Sequence, residues 1–137
     1  MNYLTENYEE LRQCVADFHA CLQVVNETAE LILERLLAGA TVFACGNGGS
    51  ATDSMHLCEE LVGRYRADRP SLPAISLNAD NSALTCIGND YGFEEVFSRQ
   101  LAGLGKGGDV LVGFSTSGNS GNVVRAFAEA RKRNIHT

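Results

Sequence analysis

Twice in this chain an apolar run ends in a small-residue turn and a helix-patterned segment follows it. Thr41-Val42-Phe43-Ala44-Cys45 leads into Gly46-Asn47-Gly48-Gly49-Ser50 and then Ala51–Val62. Asp109-Val110-Leu111-Val112-Gly113-Phe114 leads into Ser115–Ser120 and then Asn122–Arg133. A third run, Ala74-Ile75-Ser76-Leu77, lies between them after a Pro70–Pro73 linker. Residues 80–88 and 92–104 read as helices separated by a loop at Gly88-Asn89-Asp90-Tyr91-Gly92. Strands that are nearly continuous apolar runs are buried on both faces, and alternation with helices makes the sheet parallel. The expected class is therefore α/β, a parallel sheet flanked by helices. Ile135-His136-Thr137 has the texture of a further strand start, so the expected sheet has three strands and is truncated on its C-terminal side.

Residues 1–38 contain neither Gly nor Pro. Apolar residues at Leu4, Tyr8, Leu11, Val15, Phe18, Leu22, Val25, Ala29, Ile32 and Leu36 alternate in steps of four and three, which is a heptad stripe. It predicts one long helix or two in succession, with a break at Asn26 or Thr28, both good capping residues. The division predicted is 1–38 as oligomerisation helices and 39–137 as the α/β domain. The stripe is expected to face the domain and a partner copy, making a homo-oligomer.

Hydrophobic residues form 45% of the 137 residues, enough for a core. The formal net charge of -6 argues against a general nucleic-acid or anionic-membrane binder. It leaves room for a small anion, which backbone N–H groups can hold locally. The five cysteines, Cys14, Cys21, Cys45, Cys58 and Cys86, include no C-x-x-C pair. Reduced thiols in a cytoplasmic protein are expected rather than a disulfide framework. No window approaches the roughly 20 apolar residues of a membrane span.

Ser115, Thr116, Ser117 and Ser120 supply hydroxyls around Gly118, where the backbone can approach closely, and the next helix offers free N–H groups and the positive end of its dipole. Such a turn suits a terminal monophosphate; without a lysine it is not a nucleotide P-loop. An ordinary serine-rich helix cap would use the same residues. The Gly46–Ser50 turn is a second candidate, and two strand-end turns favour one shared cleft. On the helix after Ser50, Asp53, His56 and Glu60 share a face. His56 and Glu60, four apart, have the types and spacing to hold one divalent metal, with a further ligand needed for zinc. A carboxylate there could also move a proton between adjacent sugar carbons. A solvated helix face explains the same pattern. Asp90 could hold sugar hydroxyls or be a turn residue. Arg64, Arg66 and Arg69 form a basic cluster that is either solvated or reaches substrate from a neighbouring subunit.

Taken in order, Cys45-Gly46-Asn47-Gly48-Gly49-Ser50, Met55-His56, Glu59-Glu60-Leu61-Val62-Gly63-Arg64-Tyr65-Arg66, Ile87-Gly88-Asn89-Asp90-Tyr91-Gly92-Phe93, Phe97-Ser98-Arg99-Gln100 and Ser115-Thr116-Ser117-Gly118-Asn119-Ser120 resemble the phosphoheptose isomerase family. The resemblance covers the whole chain and is densest over 40–133. It implies the sugar-isomerase (SIS) fold, a flavodoxin-like parallel sheet, in a homotetramer with its N-terminal helices at the centre. It implies interconversion of sedoheptulose 7-phosphate and D-glycero-D-manno-heptose 7-phosphate, towards nucleotide-activated heptose for lipopolysaccharide or related surface glycans. Carried over by residue, Ser115, Ser117 and Ser120, with Thr116, would grip the phosphate. Asn47, Gly48, Gly49, Ser50 and Asp90 would meet the open-chain sugar. Glu60 would be the base that works through an enediol. His56 and Glu60 would ligate zinc, one per subunit, which stabilises the developing oxyanions. The family's Gln and His residues on a C-terminal helix, its general acid and further metal ligands, have no counterpart here, and His136 is no substitute. The 137-residue chain alone is thus expected to be inactive or weakly active. Two other readings remain: a binding protein of the same fold, similar to the one that associates with the replication initiator DnaA, and a sugar-phosphate-sensing regulatory domain.

Overall fold

The computed structural model describes residues 2–137. The chain divides into two compact units, one ending at Glu34 and one spanning Arg35–Thr137. In the first, helix α1 (Tyr3–Asp17) passes through a 3₁₀ turn at Phe18–Cys21 into α2 (Leu22–Leu37). The predicted break at Asn26 or Thr28 is wrong. The Thr28 hydroxyl donates back to the Val24 carbonyl at 2.7 Å, which satisfies it within the helix instead of ending the helix. The stripe residues Leu4, Tyr8, Leu11, Val15, Phe18, Leu22 and Val25 are all exposed.

The second unit is built on three strands, β1 (Val42–Gly46), β2 (Ala74–Ser76) and β3 (Val110–Phe114). They form a parallel sheet in the order β2-β1-β3, with Val42 opposite both Ala74 and Val110. The central strand is buried along its whole length, as its unbroken apolar run requires. Side chains alternate between faces. Phe43, Cys45 and Leu111 face a core of Leu77, Ile87, Val96, Phe97, Leu101, Val123, Ala126, Ala130 and Ile135. The intervening positions face α3 (Gly49–Val62), which packs against all three strands. His136 makes a parallel bridge to Val110, so the predicted strand start is where the sequence puts it.

Helices α4 (Asn81–Tyr91), α5 (Ser98–Leu104) and α6 (Gly121–Lys132) complete the unit. Asp80 caps α4, accepting from the Ser82 and Ala83 N–H groups at 2.9 and 3.0 Å. The helix does not stop at Gly88. It runs three residues further and ends at Gly92, whose φ of +92° is a conformation other residues resist. The expected Gly88–Gly92 loop is therefore the last helical turn, and Asp90 sits on it. Burial of Ile87 one residue earlier outweighs the turn preference of Asn89 and Asp90. Phe93–Glu95 is a 3₁₀ turn, so the segment 92–104 is two short helical pieces rather than one.

Candidate functional site

The two small-residue turns leave the carboxyl ends of adjacent strands, β1 and β3. At the first, Gly46 is obligatory: a Cβ there would lie 2.4 Å from the Ser50 carbonyl oxygen. Gly48 then adopts φ 56°, and the Ser50 N–H closes onto the Asn47 carbonyl at 3.0 Å. Asn78 holds the same point from β2's side. Its Nδ2 donates to the Gly46 carbonyl at 2.9 Å and its Oδ1 accepts from the Gly46 N–H at 3.0 Å. The buried Ser54 hydroxyl donates to that oxygen at 3.0 Å and stands 3.0 Å from the Ser76 hydroxyl.

At the second turn the hydroxyls converge. Ser115 Oγ lies 3.2 Å from Ser120 Oγ and 3.5 Å from Ser117 Oγ. Gly118 and Asn119 N–H groups donate to the Ser115 and Ser117 hydroxyls at 3.1 and 3.2 Å. Gly118 has φ +67°, a left-handed conformation that glycine adopts without strain. Ser120 begins α6 without a side-chain cap, so the helix presents its N-terminal end to whatever sits in the turn. Thr116 is exposed beside them.

Asp53, His56, Leu57, Glu60, Tyr65 and Phe114 line a depression of about 350 Å³. The predicted polar face of α3 thus lines a depression, and Phe114, which leads directly into Ser115, lines it too. His56 Nε2 is 3.3 Å from Glu60 Oε1. Glu59 joins them in a set whose donor atoms all lie within 4.8 Å of one another, an arrangement of one nitrogen and carboxylate oxygens that fits a divalent cation. Glu59 went unpredicted because it also borders Met55, Cys58 and Val62 on another side of the helix.

Asp90 is not brought into this cleft by its helix neighbours: its carboxylate accepts from Asn89 Nδ2 at 2.7 Å and from the Cys86 thiol at 3.6 Å. Arg69 is engaged too. Its guanidinium donates to the Leu61 and Pro70 carbonyls at 2.8 and 2.9 Å and to the Glu60 carbonyl, closing the C-terminal end of α3. Arg64 donates to the Arg66 carbonyl at 2.7 Å, and Arg66 lies over the Tyr65 ring. Asn122, unpredicted, is buried at the start of α6 and bonds Asn47 across the two turns. The motif Ser120-Gly121-Asn122 carried the signal, two residues past the loop. All five cysteines are free thiols.

Fold and site together define a class, an open parallel α/β domain with its cleft beyond the carboxyl ends of neighbouring strands. The family model described as "SIS domain" matches residues 6–137. Phosphoheptose isomerase from Akkermansia muciniphila is 47% identical over 134 residues, covering 98% of this chain and 67% of the relative. That from Nitratiruptor sp. is 58% identical over 111 residues, 80% of this chain and 59% of its own. The solved structure of phosphoheptose isomerase GmhA from Neisseria gonorrhoeae superposes with a TM-score of 0.88 at 44% identity, covering 97% of this chain and 69% of that one. The chain belongs to the SIS-domain family and, within it, to the phosphoheptose isomerases. It spans between about three fifths and two thirds of the length of these two curated relatives.

Proposed function

We propose that this chain forms the phosphate-gripping and proton-moving part of an aldose–ketose isomerase. The reaction is conversion of sedoheptulose 7-phosphate to D-glycero-D-manno-heptose 7-phosphate, for nucleotide-activated heptose and lipopolysaccharide or related surface glycans. The observation that supports the reading is that Glu60 shares one depression with Phe114, the residue that immediately precedes the serine turn.

In this reading the hydroxyls of Ser115, Thr116, Ser117 and Ser120, with the free N–H groups of α6, hold the phosphate. Asn47, Gly48, Gly49 and Ser50 receive the open-chain sugar; Asp90 does so only if its carboxylate leaves Asn89. Glu60 takes a proton from C1 of the ketose while a proton reaches the C2 oxygen, giving the enediol. Return of a proton to C2 and loss of one from the C1 oxygen give the aldose. Glu60 is suited to this by being half-buried, within reach of the cleft yet partly screened from water. His56 and Glu60, with Glu59 beside them, would hold zinc, one per subunit, which when bound stabilises negative charge on the reacting oxygens. Residues 1–38 act as oligomerisation helices; their exposed stripe supports a homotetramer. Free cysteines support a cytoplasmic setting, and among the described residues no helix is long and apolar enough to cross a membrane.

The test is titration of the chain with sedoheptulose 7-phosphate, followed through the amide resonances of 115–120, and an isomerase assay. Turnover is expected to be weak in the chain alone and to appear when the C-terminal region of the Akkermansia muciniphila relative is fused to it. Glu60→Gln should lower that turnover by at least about a hundredfold and leave binding intact. A fully active Glu60→Gln variant defeats the assignment of the base; resonances unmoved at 115–120 defeat the phosphate assignment.

A further inference from the structure

Asn122 is 3% exposed at the second position of α6, and a buried amide needs its donors and acceptors met. They are met across 75 residues of sequence. Asn47 Nδ2 donates to Asn122 Oδ1 and Asn122 Nδ2 donates to Asn47 Oδ1, both at 2.8 Å. The Val123 N–H donates to the same Asn122 oxygen at 3.0 Å. A backbone N–H must face an acceptor, so Val123 fixes which end of the Asn122 amide is oxygen and thereby which end of Asn47 faces it.

The pair joins the turn after β1 to the helix that follows the turn after β3. We infer that Asn122 is a positioning residue that latches these two turns together and aims Asn47 into the cleft. An asparagine side chain offers two N–H donors and two acceptor lone pairs. The latch uses one of each on Asn47 and leaves one N–H and one lone pair, held in a single direction, for a sugar hydroxyl. Asn78 restrains the same turn from the other side, at Gly46. Asn47 is thus presented by a rigid support on both flanks, which lowers the ordering needed when a ligand arrives. The ligand side of this inference rests on the sugar-phosphate reading above; the latch itself does not.

Asn122→Asp separates the two. The carboxylate keeps the volume, still accepts from Val123 N–H and Asn47 Nδ2, and suits a helix N-terminus. It cannot donate to Asn47 Oδ1, so two oxygens face each other where a hydrogen bond was. The variant is expected to fold, with Tm lowered by less than about 8 °C, and the amide resonances of 47–50 should move. With both ligands compared at high salt, which screens the added charge beside the α6 N-terminus, inorganic phosphate should bind with affinity unchanged within about twofold. Sedoheptulose 7-phosphate, which spans both turns, should lose roughly tenfold, the equivalent of one hydrogen bond. Equal losses for both ligands, or none for the sugar phosphate, overturn the inference. So do unmoved resonances at 47–50. If the unaltered chain binds neither ligand, the isomerase reading falls and the resonances still decide the latch. Asn47→Asp, at a half-buried position, probes from the opposite side. It should shift the Val123 and Val124 amides, and it decides the matter should Asn122→Asp not fold.

Discussion

Gly46 and Gly49 lie three residues apart in one turn, and alanine at each should do opposite things. A Cβ on Gly46 would stand 2.4 Å from the Ser50 carbonyl oxygen, 2.6 Å from its carbon and 2.8 Å from the Ser50 Cβ. Restoring an ordinary separation of about 3.5 Å requires Ser50 to withdraw by about 1 Å. Ser50 is in the first turn of α3, its N–H tied to the Asn47 carbonyl at 3.0 Å. The obstacle is backbone, which has no rotamer to change. Overpacking against side chains costs about 1–3 kcal/mol, and an anchored backbone belongs at the upper end. At about 4–8 °C per kcal/mol for a unit of this size, Gly46→Ala should lower Tm by roughly 12–24 °C. Nothing lies within 4 Å of a Cβ on Gly49, and its φ is not in the left-handed region. There, alanine loses entropy in the unfolded chain and gains helix propensity, a stabilisation of about 0.4–1 kcal/mol. Thermal melts of both variants, followed by circular dichroism, test this. If Gly46→Ala melts within about 4 °C of the parent, or Gly49→Ala falls as far as Gly46→Ala, the packing argument at this turn is refuted.

Burial pushes the Cys45 thiol up to about 12 and the Cys58 thiol up to about 11. Both stay protonated in the folded chain, while the unfolded chain ionises from its ordinary value of 9.0. Stability is therefore fully present below pH 9 and falls as pH rises towards 11, by about 1.4 kcal/mol per pH unit for each thiol; urea melts at stepped pH read the slope. In the same fold, a thiol reagent at neutral pH should modify exposed Cys86 quickly and spare Cys45 and Cys58 until denaturant is added. Zinc at a hundredfold excess over its dissociation constant should stabilise the chain by about 2.7 kcal/mol. His56→Ala should abolish most of that gain in a thermal melt; an undiminished gain places the metal elsewhere.

The strands were legible because each is an apolar run bounded by glycine or polar turns, a signal written within five or six neighbouring residues. The polar face of α3 was legible for a similar reason, since Asp53, His56 and Glu60 are brought together by helix geometry alone. The errors fall where core packing, a competing bond within the helix or a distant partner overrides local preference. Asn89 and Asp90 favour a turn, yet the core holds Ile87 and carries α4 on to Gly92. Thr28 favours a cap, yet it bonds its own helix. Asn78 and Asn122 were missed because their partners lie 32 and 75 residues away, and no periodicity reports a pair at that separation.

The proposed phosphate grip contains no side-chain cation: the Ser115–Ser120 turn offers hydroxyls, an amide and backbone N–H groups in a chain of net charge -6. A lysine at the turn would bind phosphate with less demanding geometry. It would also stabilise the ionised form of a nearby carboxylate and weaken it as a base. Neutral donors hold an anion well only if they are aligned before it arrives. Alignment is what the surrounding residues provide. Gly118 supplies the left-handed residue of the serine turn, Gly46 lets β1 meet α3 at backbone distance, and Asn78 fixes both backbone groups of Gly46. The Asn47–Asn122 pair then ties one turn to the other. The asparagines and the glycines of this site are thus the counterpart of its missing cation, supplying by rigidity what a positive charge would have supplied by attraction.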